Sequence, residues 1–194
     1  ILRFKEFLEK KNYIDKNILN KKIYFFTPNE LTKWRVDTIL DKEPETIKWI
    51  NSFKNDSIFW DIGANIGLYT IYAAKKKKKI KIYSFEPSTS NLRTLSRNVS
   101  INKLQKNVFI IPFALSNSKN KLLQLKEKQF TEGGALNAFG VKYDYSGKDF
   151  FVENSYNTFG TSIDNLIEKR ILDIPNYIKI DVDGIEDLIL IGAK

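Results

Sequence analysis

The 194-residue chain contains no cysteine, no histidine and no methionine. Without Cys there is no disulfide, no thiolate zinc site and no thiol nucleophile. Without His the commonest general base and metal ligand is missing. Any chemistry must run on carboxylates, Lys, Tyr, hydroxyls, backbone amides or a cofactor. Long apolar runs are absent too: none approaches the roughly 18 residues that a membrane-spanning helix needs. The opening Ile1-Leu2-Arg3-Phe4-Lys5-Glu6 carries an acid too early for a secretory leader, which points to a cytoplasmic protein. It also lacks an initiator Met, so the expectation is a stretch of a longer chain.

Arginine is scarce. Of 32 basic residues only five are Arg (Arg3, Arg35, Arg93, Arg97 and Arg170), while Ile and Asn number 25 and 18. Lys, Ile and Asn share AT-rich codons, so nucleotide bias explains the net charge of +9. Readers of bases and phosphates lean on the planar Arg fork, and a nucleic-acid partner is not expected. The lysine run at 75–79 follows a predicted helix, whose C-terminal dipole end favours cations. Hydrophobic residues make up 42% and charged residues 28%, an ordinary globular balance.

No internal repeat is present. Residues 1–55 read as an N-terminal layer: a charged helical start, a strand over 22–27 ended by Pro28-Asn29, and a second strand over 34–39. Pro44 suits the first position of a helix, with Glu45 in its first turn and Ile47, Ile50 and Phe53 on one face. From Ser57 the pattern alternates strand and helix, over 58–62, 68–74, 80–86, 88–99 and 108–111. Ser88 and Ser162 are placed to cap helices, and Pro112 marks an edge or strand end. A fourth strand follows over 177–182, then a helix over 185–194. This alternation predicts an α/β fold, a doubly wound and mostly parallel sheet over 56–194. Residues 116–160 interrupt it as an inserted hairpin or lid. With four core strands counted, Ile185, Leu188, Ile189 and Ile191 would lack cover. The sheet is therefore expected to be incomplete at its C-terminal side, that face being covered by further chain or by a second copy in a homo-oligomer.

The sharpest local signal is Asp61-Ile62-Gly63-Ala64-Asn65-Ile66-Gly67, a small-residue turn between strand and helix. Small residues let a ligand approach backbone N–H donors. Glu86 ends the next strand, where a carboxylate can accept both hydroxyls of a ribose. The nicotinamide fingerprint fails, because Asn65 and Leu68 stand where its second and third glycines belong. Asp181-Val182-Asp183-Gly184-Ile185-Glu186 closes the fourth strand. Asp61, Glu86 and Asp181 should converge at the strand ends, a cluster that suits a cationic ligand such as S-adenosylmethionine. The same D-x-D-x-x-E spacing could instead hold Mg²⁺ or Ca²⁺, though no metal site is assigned.

The ordered set of the 61–67 turn, Phe85-Glu86-Pro87, Pro112-Phe113-Ala114-Leu115-Ser116, Ser162-Ile163-Asp164-Asn165-Leu166 and Ile178-Lys179-Ile180-Asp181-Val182-Asp183-Gly184-Ile185-Glu186 resembles the FkbM-type S-adenosylmethionine-dependent methyltransferases, over about residues 40–194. The resemblance implies a Rossmann-like class I methyltransferase fold with S-adenosylmethionine as cofactor. It implies that Asp61 and the backbone of Gly63, Ala64, Asn65 and Gly67 hold the methionine end. Glu86 with Pro87 would take the ribose, Phe113 and Ala114 would flank the adenine, and Asp181 would lie near the transferring methyl. It further implies O-methylation of a sugar, glycan or secondary metabolite, a small-molecule or glycan acceptor. Asp183 departs from the family pattern, where Glu is usual, and has a shorter reach.

A hydroxyl acceptor needs a base, and without His the candidates are Asp181, Asp183 and Glu186. Trp34, Arg35 and Glu43 of the N-terminal layer are candidates to contact the acceptor. Enzymes that methylate base amino groups commonly carry a D/N-P-P-Y/F loop after the fourth strand. Here that loop has neither proline nor aromatic, which weakens a nucleic-acid methyltransferase. A non-catalytic nucleoside-binding module is the alternative from another class.

Overall fold

Helix α1 (Leu2–Lys11) leads into an antiparallel hairpin of β1 (Tyr13–Ile18) and β2 (Lys21–Phe26). The computed structural model describes residues 2–141, 143, 147–149 and 151–194. Leu19 and Asn20 join the hairpin with φ of 58° and 56°, the backbone that two-residue turns need to match strand twist. Side-chain amides from a later helix hold β2: Asn98 Oδ1 accepts from Phe26 N at 2.6 Å, and Asn102 Oδ1 accepts from Tyr24 N at 3.1 Å.

The strand expected over 34–39 is a helix. In α2 (Glu30–Asp37), Asn29 caps the N-terminus, its side chain accepting from Thr32 N at 2.8 Å while Thr32 Oγ1 accepts from Asn29 N at 3.3 Å. This reciprocal cap outweighs the strand preference of Trp34, Val36 and Thr38. Val36 and Thr32 turn inward and Trp34 faces solvent at 47% exposure. Helix α3 (Pro44–Ser52) begins at Pro44 as its composition predicts.

The core alternates β3 (Ile58–Ile62), α4 (Leu68–Lys76), β4 (Lys81–Phe85), α5 (Thr89–Ile101) and β5 (Val108–Ile111). A short β6 (Ala114–Leu115) then pairs in a second sheet with β7 (Lys121–Glu127), β8 (Ala138–Phe139) and β9 (Asn154–Thr161), in the order β6-β9-β7-β8. The 116–160 interruption is thus a hairpin-based sheet. Helix α6 (Ile163–Glu168), capped by Ser162, strand β10 (Tyr177–Ile180) and helix α7 (Glu186–Ile191) complete the chain.

Strands β10, β3, β4 and β5 form a parallel sheet in that order. The chain walks outward from β3 to β5, then returns to add β10 on the opposite side of β3. The order therefore reverses between β3 and β10, the kind of switch point where open α/β sheets bind ligands. One face buries Phe59, Ile82 and Val108 against Ile71, Leu95 and Val99 of the helices and Ile23 and Phe25 of the hairpin. The other buries Trp60, Ile62, Tyr83 and Phe85 against Ile163, Leu166 and Ile189. Both faces are covered, which is the doubly wound arrangement. Pro112 does follow an edge strand, since β5 ends the sheet. Among the described residues no helix is long and apolar enough to cross a membrane.

Candidate active site

The turn after β3 is shaped by close packing. Gly63 has φ +78°, and a Cβ there would lie 2.0 Å from the Asp181 carbonyl oxygen. Gly67 has φ +85°, and its Cβ would meet Leu95 Cδ1 at 2.4 Å. Both glycines are required by protein neighbours, a reason distinct from ligand access. Between them Asn65 also takes positive φ, 51°. Its N–H donates to Glu86 Oε2 at 2.7 Å, so the turn after β3 is pinned to the end of β4.

Glu86 is buried. Its other oxygen, Oε1, accepts from Ser88 N at 2.9 Å. Burial pushes its pKa up to about 7, against the opposing hydrogen bonds from Ser88, Asn65 and Asn91. Each oxygen retains a lone pair beyond its backbone bond, so the carboxylate keeps acceptor capacity.

Lys179 is the member of the site that motif reading passed over. In the parallel register Lys179 lies opposite Asp61, and Asp181 follows two residues later on the same face. Its ammonium, only 8% exposed, reaches Asp181 Oδ2 at 2.9 Å and stands 3.8 Å from Asp61 Oδ1. Burial pulls the Lys179 pKa down, but Asp61 and Asp181 outweigh it and the net shift is upward. Asp61 is raised chiefly by its burial, with Lys179 and Thr70 opposing. The standoff at 3.8 Å explains why the ammonium does not reverse that direction. Asp61 Oδ2 accepts from Thr70 Oγ1 at 2.6 Å, whereas buried Oδ1 has no hydrogen-bond partner among the described residues. Strand alternation carried the signal for Lys179, since i and i+2 share a face.

Two pockets meet here. The first runs from an apolar end at Phe85, Phe113, Leu115, Leu125 and Phe139, past Glu86 with Pro87 and Ala114, to Gly63, Asn65, Asp181 and Asp183. The second lies on the α2 and α4 side, lined by Arg35, Thr38, Glu43, Ala64, Tyr69 and Lys179. Gly63, Asn65 and Asp181 line both. The Tyr69 hydroxyl is raised well above the usual tyrosine range, by burial first and then by Glu43.

A roof from the inserted region closes over the first pocket. The Gly134 carbonyl accepts from Asn65 Nδ2 at 2.7 Å and Asn91 Nδ2 at 3.1 Å. Gly133 N donates to Asn91 Oδ1 at 2.8 Å, and its carbonyl accepts from Arg35 Nε at 2.7 Å. Asn29 Nδ2 donates to the Glu132 carbonyl at 3.0 Å. Leu136 N donates to Asp183 Oδ2 at 2.7 Å. Neither Asn91 nor the roof glycines carried a motif, and only the fold brings them to the site.

The structure thus brings Gly63, Ala64, Asn65, Glu86, Pro87, Phe113, Ala114, Asp181 and Asp183 to one pair of pockets, with Arg35 and Glu43 lining the second. Asp61 lines neither and sits buried against Lys179 and Thr70. Gly67 supports the turn from beneath. Trp34, on the solvent side of α2, lines neither pocket. Glu186 turns both oxygens to the backbone, accepting from Val182 N at 3.1 Å and Gly184 N at 3.0 Å. It buttresses the turn that presents Asp183, whose φ is +61°. Burial raises the Asp183 pKa, opposed by the Leu136 hydrogen bond.

A family model described as "Methyltransferase FkbM domain" matches residues 61–194. Among curated proteins, the hexuronic acid methyltransferase AglP of Haloferax volcanii is 23% identical over 159 residues, covering 82% of this chain and 59% of that protein. The methyltransferase sdnD of Sordaria araneosa is 39% identical over 62 residues, 32% of this chain and 24% of its own. Among solved structures, a SAM dependent methyltransferase from Aquifex aeolicus aligns at 23% identity, covering 48% of this chain and 50% of that one, with a TM-score of 0.38. The chain therefore spans less than two thirds of the length of each of these relatives.

Proposed function

The chain belongs to the FkbM methyltransferase family, and from that premise we propose that it transfers a methyl group from S-adenosylmethionine to a hydroxyl of a sugar or glycan. The observation that carries this is the pair of adjacent pockets at the β3/β10 switch point, the first lined by apolar side chains together with Glu86 and Asp183, and both lined by Asp181. The residues present fit such a cofactor on their chemistry. Glu86 keeps acceptor capacity for a ribose, Phe113 and Ala114 border an apolar slot, and outside the pocket linings Asp61 Oδ1 is a buried acceptor without a hydrogen-bond donor among the described residues. When bound, the cofactor supplies an electrophilic methyl on a sulfonium.

The chain's own part is positioning, exclusion of water and one proton. The roof at Gly133 and Gly134 shields the first pocket, and Asp181 supplies negative charge where the pockets meet. Asp183 is the favoured base. Its Oδ2 is held by Leu136 N, which leaves Oδ1 to accept the acceptor's proton. Its raised pKa brings it closer to a base poised for neutral pH. Glu186 is already engaged by two backbone donors and acts by holding the turn. The acceptor class draws support from the printed name of the Haloferax volcanii relative, a hexuronic acid methyltransferase.

The test is to identify by mass spectrometry what the purified protein retains, then to assay methyl transfer to uronic acid-containing glycans. Retained S-adenosylmethionine or S-adenosylhomocysteine, with a mass gain of one methyl on a glycan, supports the reading. Cofactor binding with no transfer to any hydroxyl acceptor would favour a nucleoside-binding module instead.

A further inference from the structure

The second pocket has charges that protein groups do not neutralise. Asp61 and Asp181 share one ammonium, Lys179, which leaves a negative pole at Asp181, whose side chain is 51% exposed. Arg35, half-buried, lines the same pocket as a positive pole. Its Nε donates to the Gly133 carbonyl at 2.7 Å, while its terminal nitrogens make no hydrogen bond or ion pair among the described residues. Burial lowers the Arg35 pKa, with Asp183, Asp181, Glu43 and Glu86 opposing from beyond contact distance. A desolvated guanidinium with an open fork is costly to keep unless an anion completes it.

Lys42 and Glu43 also line this pocket but pair with each other at 3.1 Å, so Arg35 and the Asp181 end remain as its poles. Such an arrangement complements a group that carries both charges on neighbouring atoms. An α-amino acid is such a group. The pocket lies beside the first, with Gly63, Asn65 and Asp181 lining both, so a ligand reaching past these residues would extend from one into the other. We propose that Arg35 belongs to the cofactor site: the amino-acid end that the resemblance assigns to the turn after β3 enters the second pocket, where Arg35 binds its carboxylate and Asp181, braced by Lys179, receives its ammonium. This rests on the cofactor reading above, in which the first pocket takes the adenosine. It reassigns Arg35 from acceptor contact to cofactor contact. Arg35 lies outside the stretch matched by the family model, residues 61–194, so the N-terminal layer becomes part of the cofactor site. Because Arg35 also holds Gly133, the same side chain links the ligand's charged end to the roof.

Two ligands separate the possibilities by calorimetry. S-adenosylhomocysteine carries the amino-acid end, and 5′-methylthioadenosine keeps adenosine and sulfur but lacks it. Arg35→Gln should weaken S-adenosylhomocysteine about tenfold to a hundredfold, the loss of a charge-assisted pair. It should leave 5′-methylthioadenosine within about twofold, which also shows that the variant is folded. Arg35→Lys, which keeps the charge, should lose less. Equal weakening of both ligands would overturn the proposal, since Arg35 would then act through the roof. Unchanged binding of both would overturn it in favour of an acceptor contact. If the wild-type chain binds neither ligand, the cofactor reading itself fails and this inference with it.

Discussion

Glu86 and Asp61 are both carboxylates buried at strand ends, at 4% and 1% exposure, yet their surroundings treat them differently. Each oxygen of Glu86 accepts a backbone N–H from a turn. Among the described residues Asp61 keeps one oxygen without a hydrogen-bond partner and shares the cation beside it, Lys179, with Asp181. The β4 end of the cleft is therefore complete on its own terms, whereas the β3/β10 end carries charge that a ligand can balance. Shape is settled by the protein, and the unbalanced charge is left for the ligand of the proposed function to complete. Preorganised hydrogen bonds lower the cost of ordering a site, and unmatched charge supplies selectivity.

The sharpest way to break this comparison is to disturb the junction of the two ends. Gly63→Ala places a Cβ against the Asp181 carbonyl at positive φ, where side chains are strained. Overpacking and backbone strain together should cost at least about 3 kcal/mol, and little folded protein should survive. Denaturant titration checks this, and a midpoint within error of wild type would show that β3 and β10 can spread.

Asp183→Asn keeps the shape and the acceptor for Leu136 N while removing the base. Turnover should fall about 10²- to 10⁴-fold with cofactor affinity nearly unchanged. If cofactor affinity falls as far as turnover, Asp183 belongs to the cofactor end. The wild-type rate should also climb with pH above the ordinary aspartate range, because Asp183 must be ionised to accept a proton and its pKa is raised.

Glu86 offers a test by proton linkage. Its folded pKa lies near 7, above the ordinary carboxylate value, so the folded chain holds its proton more tightly than the unfolded one. The resulting stability is complete below the ordinary value and is lost as pH rises through about 7. Between pH 5 and 8 the ligand-free wild type should lose on the order of 3 kcal/mol more than Glu86→Gln. Parallel stability curves for the two would place the titration elsewhere. Glu86→Ala should also lower affinity for S-adenosylhomocysteine about tenfold to a hundredfold, by removing two ribose acceptors. The smallest effect is expected at Trp34, which faces solvent away from both pockets. Trp34→Ala should change stability by under about 0.5 kcal/mol and leave binding alone. A large effect on an acceptor's KM would return Trp34 to the site.

What was legible in the sequence was local. Ser88, Ser162 and Pro44 announce helix starts through their own capping chemistry, and the turn at 61–67 with Glu86 marks the crevice. Strand β1 was missed because Tyr13 to Ile18 alternates weakly and gains its identity only by pairing with β2. Helix α2 was misread because Asn29, taken as the end of a strand, was also the cap of a helix. The second sheet depends on pairings such as Leu122 with Phe159, separated by a long stretch of chain that carries no periodic signal. Lys179 was hidden by its setting in an apolar strand, although its register with Asp61 follows from a parallel β3/β10 pairing.

The roof has a kinetic consequence. Its short stretch from Glu132 to Leu136 is tethered to Asn29, Arg35, Asn65, Asn91 and Asp183, which belong to four different segments, α2 with its cap, the β3–α4 turn, α5 and the β10–α7 turn. None of these tethers can let go alone and uncover the pocket. Opening is therefore expected to be concerted and steeply temperature-dependent. Under the function proposed above, release of the spent cofactor would be the step this roof slows most at low temperature.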